Sequence, residues 1–167
     1  MKKVCLVTMI VAFLLISTNA VRAQMMQPKL NQIELNKQFL GNWKIELGKD
    51  TICFVEVTPF GVGFEATRKF VTKGNIYNTW KELNGYDKKT DKFIDAQLQT
   101  SSSSIYLVAS WFTSKSICES IPFQFISDPE KATVKWTWEF KSSDLVTETT
   151  TRNNKIVSTL TYTREKK

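Results

Sequence analysis

The chain has 167 residues, enough for one domain with a single real core. It carries 23 basic and 16 acidic residues, a formal charge of +7, and no histidine. The missing imidazole excludes a Ser-His-Asp triad, a Cys-His pair, His-ligated zinc and a haem on a proximal histidine; lysines spread among apolar residues, with no basic stripe of stacking aromatics, argue against nucleic acid.

The first 23 residues read as a signal peptide. Met1-Lys2-Lys3 is a short cationic start, Val4 to Ile16 is an apolar run, and Val21-Arg22-Ala23 offers the small residues a signal peptidase reads. Cleavage is expected after Ala23, with Ala20 as the second choice. The run is short for a membrane span and no second one follows, so the expectation is an exported protein, periplasmic or secreted, with no stable membrane anchor. Cys5 falls too early for a lipoprotein cleavage site. The lack of an Asn-x-Ser/Thr acceptor fits a bacterial protein. Cleavage takes Lys2, Lys3 and Arg22 and no acidic residue, so the formal charge falls from +7 to +4.

Gln24 to Lys29 is a polar leader, and one domain is expected over residues 30–167. In LNQIELNKQFLG, Leu30, Ile33 and Lys37 or Leu40 fall near helical spacing. That predicts a short amphipathic helix ending at Gly41, its apolar face set against a partner such as the mouth of a barrel. From Trp43 the period becomes two: Trp43, Ile45 and Leu47 alternate with Lys44 and Glu46, as in a half-buried strand. DTICFVEV is a strand closed by a turn at Pro59-Phe60-Gly61, and VGFEATRKFV is one closed by Thr72-Lys73-Gly74-Asn75. IYNTWKELNGYD runs to a charged turn, Asp87 to Lys92, before KFIDAQLQT. Ser101 to Ser104 leads into IYLVASWFT, apolar on both faces, and SICESIPFQFI carries Pro122, a sign of an edge or a bulge. After the turn Asp128-Pro129-Glu130-Lys131, ATVKWTWEFK alternates Val134, Trp136, Trp138 and Phe140 with Lys135, Thr137, Glu139 and Lys141. SDLVTETTT, a turn at Asn153-Asn154 and KIVSTLTYTR complete the chain.

About ten strands at roughly 8 to 12 residue spacing predict an antiparallel barrel or sandwich. Every connection is short, and a sequential meander can close on itself and lose its edges, whereas a sandwich usually needs longer crossings. The predicted fold is therefore all-β: an antiparallel up-and-down β-barrel of about 8–10 strands with a short N-terminal helix near one end.

Gly41-Asn42-Trp43, preceded by a short helix, resembles the G-x-W signature of the lipocalins and their calycin relatives, and the pattern extends from Leu30 to Arg164. In that family the tryptophan opens the first strand and a basic residue near the chain end covers it. The resemblance gives that place to Arg164, and Gly41 lets chain and ring approach closely. The ending TLTYTREKK is also similar to fatty-acid-binding proteins, but there the arginine precedes the tyrosine, so their carboxylate-binding pair is not carried over. WTWEFKSSDLVTETTT followed by TYTR is similar to small exported bacterial lipocalin-like domains of unassigned role. The haem-binding branch of small bacterial barrels uses a histidine that this chain lacks.

Cys53 and Cys118 remain after cleavage, and either form one disulfide or are two buried apolar side chains. No glycine-rich strand-to-helix phosphate loop occurs, since Gly61-Val62-Gly63 lies in a hairpin. DKKTDKFID spaces Asp87, Asp91 and Asp95 by four. It lacks the glycine and terminal glutamate of an EF-hand loop, so it reads as a solvated turn and not as a metal site. Glu56, Glu82 and Glu119 are candidates for carboxylate acid-base chemistry only if they share an interior.

Strand parity adds a constraint. If Val62, Phe64 and Phe70 point inward, so does Arg68; Ile76 and Trp80 would carry Glu82 with them, and Ile117, Ile121 and Phe123 would carry Glu119. Such charges must pair with one another, meet a ligand or water, or turn outward at a bulge. The expected function is non-catalytic binding of a small, mostly hydrophobic ligand, without a cofactor, by Arg68, Trp80, Trp111, Glu119, Trp136, Trp138 and Tyr162. The alternatives are a filled barrel that works as a protein-interaction or inhibitor module, with the partner unidentified, and a cavity enzyme using carboxylates.

Overall fold

The computed structural model describes residues 29–166; the signal peptide expected at 1–23 and the leader up to residue 28 lie outside the described residues. Ten strands follow one another: β1 (Gly41–Gly48), β2 (Thr51–Phe60), β3 (Gly63–Thr72), β4 (Asn75–Asp87), β5 (Lys92–Gln99), β6 (Ser102–Phe112), β7 (Ile117–Pro122), β8 (Val134–Ser142), β9 (Leu145–Arg152) and β10 (Lys155–Arg164). Each pairs antiparallel with the next, and β1 pairs with β10, so the meander closes into the up-and-down barrel that the sequence predicts.

Period-two alternation builds the wall. In β2, Cys53, Val55 and Val57 are buried while Glu56 is exposed, and the same parity puts Trp43 and Ile45 of β1 in the core. The β9–β10 connection is a two-residue turn at Asn153-Asn154, whose φ angles of 49° and 60° are the left-handed values such hairpins require. Strand β2 runs past the expected turn to Phe60, and Pro59 fits within it because β1 begins opposite Val57. No β1 carbonyl therefore waits for the amide that proline lacks.

One end of the barrel is stoppered. Helix α1 (Gln32–Asn36) is capped by the Asn31 side chain, which accepts from the Glu34 N–H at 3.1 Å, and continues as a 3-10 turn, Lys37–Phe39. Its inner face matches the predicted one in Leu30 and Leu40 but not in Ile33. Gln32 and Asn36 are its buried residues, and Leu35 and Phe39 join Leu30 and Leu40 against the core. The amide of Gln32 acts as a missing strand partner for β6, donating to the Phe112 carbonyl at 3.0 Å and accepting its N–H at 2.7 Å. Phe39 plugs the barrel, packing edge-on against Trp138 and Phe140 with ring centroids 5.5 and 4.9 Å away.

From Val108 to Phe112, strand β6 is covered on both faces. Outside the barrel, the segment after β7 folds back so that Phe125, Ile126 and Ala132 pack with Ala109, Trp111, Ile121 and Ile94. This second cluster corrects the parity reading of β7: Ile121 faces outward into it, and Cys118 faces the main core instead. Pro122 ends β7. Its pairing with β8 covers only Ile117 to Ser120, and its pairing with β6 begins at Val108. At that rim, Ser102 to Leu107 on β6 and Val134 and Lys135 on β8 have no β7 partner, and the rings of Tyr106 and Trp136 meet across the gap at 6.2 Å.

Candidate functional site

The barrel interior holds a cavity of about 380 Å³ that rises from Phe39 and Trp43 at the helix end to Gln99, Tyr106 and Trp136 at the other. Tyr106 is 41% exposed, so the cavity reaches the surface beside the short β7. Its volume lies within the range of roughly 300–1,000 Å³ typical of small-molecule sites.

Trp80, Trp136, Trp138, Tyr162 and Arg68 line this space. Two residues expected there do not. Trp111 and Glu119 face each other on the outer surface of β6 and β7, where Lys92 Nζ sits 4.5 Å from the Trp111 ring centre. The physical reason is the outer cluster: because Ile121 belongs to it, every second residue of β7 counted from Ile121 turns outward. Val62 and Ile76, used as inward markers for β3 and β4, are exposed turn and rim residues, yet Phe64 and Trp80 carry Arg68 and Glu82 inward as argued.

The middle of the cavity is charged. Arg68 lies beside Glu82, with Nη2 3.4 Å from Oε2, and its Nη1 donates to the Tyr162 hydroxyl at 3.1 Å. The Tyr162 hydroxyl in turn donates to Glu148 Oε2, and Gln97 Nε2 donates to Glu82 Oε2 at 3.4 Å. Burial alone would lower the Arg68 pKa, but Tyr162, Glu82 and Glu148 more than reverse that and keep the guanidinium charged. Burial raises the Glu148 carboxyl above its ordinary range despite Arg68 and the Tyr162 hydrogen bond, which pull it down. Burial, then the charge of Glu148, raises the Tyr162 phenol.

A second polar chain lies nearer the helix. Asn36 Nδ2 donates to Asn84 Oδ1 at 2.9 Å, Asn84 Nδ2 to Asp95 Oδ1 at 2.5 Å, and the Ser110 hydroxyl to Asp95 Oδ2 at 3.1 Å. Burial and the charge of Glu82 push the Asp95 carboxyl up to about 7. The evenly spaced aspartates therefore part company. Asp87 and Asp91 stay in the β4–β5 turn, accepting from Thr90 and Tyr86, while Asp95 points into the barrel.

Sequence reading missed Asp95, Asn84 and Glu148 as lining residues. The signal was present as parity: Phe93 and Asp95, Leu83-flanked Glu82 and Asn84, and Val146 and Glu148 each sit two apart on one strand face. Cys53 and Cys118 are buried free thiols, the second of the two alternatives left open by the sequence.

Arg164 occupies the place that the lipocalin resemblance gave it. Its guanidinium carbon lies 4.1 Å from the Trp43 ring centre, and the two residues are register partners on β1 and β10. Gly41 has φ of 120°, and a Cβ there would collide with Arg164 Nη1. No protein-family model matches the chain, and no curated protein matches it.

Proposed function

We propose that this is an exported lipocalin-like barrel that binds a small, mostly hydrophobic molecule in its interior without transforming it. The observation that carries this reading is the cavity of about 380 Å³, which tryptophan and tyrosine faces line around a few buried polar groups. The helix plug and the Arg164 lid leave the rim beside Tyr106 and Trp136 as the route in. N-phenyl-1-naphthylamine, a neutral apolar dye, tests it: saturable dye fluorescence with matching quenching of intrinsic tryptophan supports the reading. Absence of both, for this dye and for a panel of apolar ligands, rejects it.

A second reading rests on the outer wall. Leu83 of β4, Leu98 of β5, and Ile105 and Leu107 of β6 form an apolar strip 39–61% exposed on the face away from the cavity. Such a strip suits a protein partner. Replacing Leu98 and Leu107 with lysine separates the two functions, since a partner would be lost while dye binding in the interior stayed.

A further inference from the structure

The charges inside the barrel do not balance. Among the described residues, Arg68 is the only basic side chain on the cavity wall, and it faces three acidic ones, Glu82, Asp95 and Glu148. Two of the three guanidinium nitrogens are already engaged, Nη2 with Glu82 and Nη1 with Tyr162. The third, Nε, is sealed in the wall without a partner, as is the indole N–H of the neighbouring Trp80. An anionic ligand would therefore meet only the spare Nη hydrogens of one guanidinium already held by Glu82 and Tyr162, and would add negative charge beside two glutamates.

The acceptors are in the opposite condition. The hydrogen bonds to Glu82 both fall on Oε2, as does the Tyr162 bond to Glu148, so Oε1 of each receives none among the described residues. Both residues are nine-tenths buried, yet neither Oε1 is sealed in the wall as Arg68 Nε is, so each faces the cavity. Asp95 differs, with Asn84 and Ser110 occupying both its oxygens. Indole and phenol rings of Trp80, Trp136, Trp138 and Tyr106 surround the same space, and their faces attract cations.

We propose that the ligand is an apolar amine, whose ammonium group is taken by the free oxygens of Glu82 and Glu148 within the aromatic wall. This rests on the binding reading above and names the chemistry of that site. A buried carboxylate gains most from a partner that brings both a charge and a hydrogen-bond donor. An alkylammonium brings three such donors on a hydrophobic stem.

Calorimetric titration with three ligands of one shape tests it: 4-phenylbutylamine, 4-phenylbutanol and 4-phenylbutyrate. The amine is expected to bind at least about tenfold more tightly than the alcohol, and the acid most weakly. Glu82→Gln and Glu148→Gln should each remove most of the amine's advantage over the alcohol. Equal binding of all three, or tightest binding by the acid, overturns the amine assignment and leaves the binding reading intact. If none of the three binds and the neutral dye fails as well, both fall together. The wild-type comparison stands even if a glutamine variant does not fold.

Discussion

The guanidinium of Arg164 lies 4.1 Å over the indole of Trp43, and the same group ties three parts of the chain together. Its Nη1 donates to the Leu40 carbonyl at 2.5 Å, its Nη2 to Gln38 at 3.3 Å, and its Nε to Ser143 at 2.7 Å. Arg164 thus joins the helix plug, the β8–β9 hairpin and the β1–β10 closure. Arg164→Ala should lower stability by about 2–4 kcal/mol, from lost cation-π and charge-assisted bonds. Urea unfolding followed by fluorescence measures it, and a loss below about 0.5 kcal/mol would contradict the structural role.

Gly41 makes that approach feasible. Gly41→Ala combines a left-handed backbone with a collision against Arg164, and should cost about 1–3 kcal/mol. Gly48 has open space around its Cα, so Gly48→Ala is the control and should stay within about 0.5 kcal/mol of wild type. Equal losses in thermal or urea unfolding would show that the close approach is unimportant.

Among the described residues, Arg68 is the single interior cation opposing Glu82 and Glu148. Arg68→Met should destabilise the barrel by about 3–5 kcal/mol, because it strands buried carboxylates. Adding Glu82→Gln should recover part of that loss. A double-mutant cycle with no coupling between positions 68 and 82 would rule out the pairing as a stabilising contact.

Asp95 sets a pH dependence. Its carboxyl stands at about 7 in the folded protein against an ordinary 3.8, so between these values the native state holds a proton that the unfolded chain has released. Stability should therefore be greatest at the acid end of that window and fall as pH rises from about 4 to about 7, by up to about 1.4 kcal/mol per unit, then level off. The raised Glu148 acts in the same direction. Asp95→Asn keeps an acceptor for Asn84 and should flatten most of the slope in denaturation curves taken across that range.

Burial pushes the Cys53 thiol up to about 11 and raises Cys118 well above its ordinary 9.0. Both should resist iodoacetamide at pH 8 in the native protein and react fully once it is unfolded without reductant. Mass spectrometry of the two labelled peptides reads this directly. Failure to label either after unfolding would mean they are joined.

The sequence alone determined the wall of this protein. Alternation from Trp43 to Arg164 marked ten strands, short turns implied a meander, and Gly41, Trp43 and Arg164 marked how its ends meet. The strands and turns are local features, whereas the meeting of Trp43 and Arg164, far apart in the chain, was implied by the lipocalin resemblance. What lies inside was decided by tertiary structure. Alternation divides a strand into two faces, but where both are apolar, as in β6 and β7, it does not say which one looks inward. The segment from Phe125 to Ala132 settled that by covering Ile121 and Trp111, and so turned Glu119 out. Arg68, Glu82, Glu148 and Tyr162 come from four strands, and only closure of the barrel brings β3 and β4 face to face with β9 and β10 across its axis. For a charge network assembled across 94 residues of chain, local parity says which side chains face inward, but no local spacing says which of them pair.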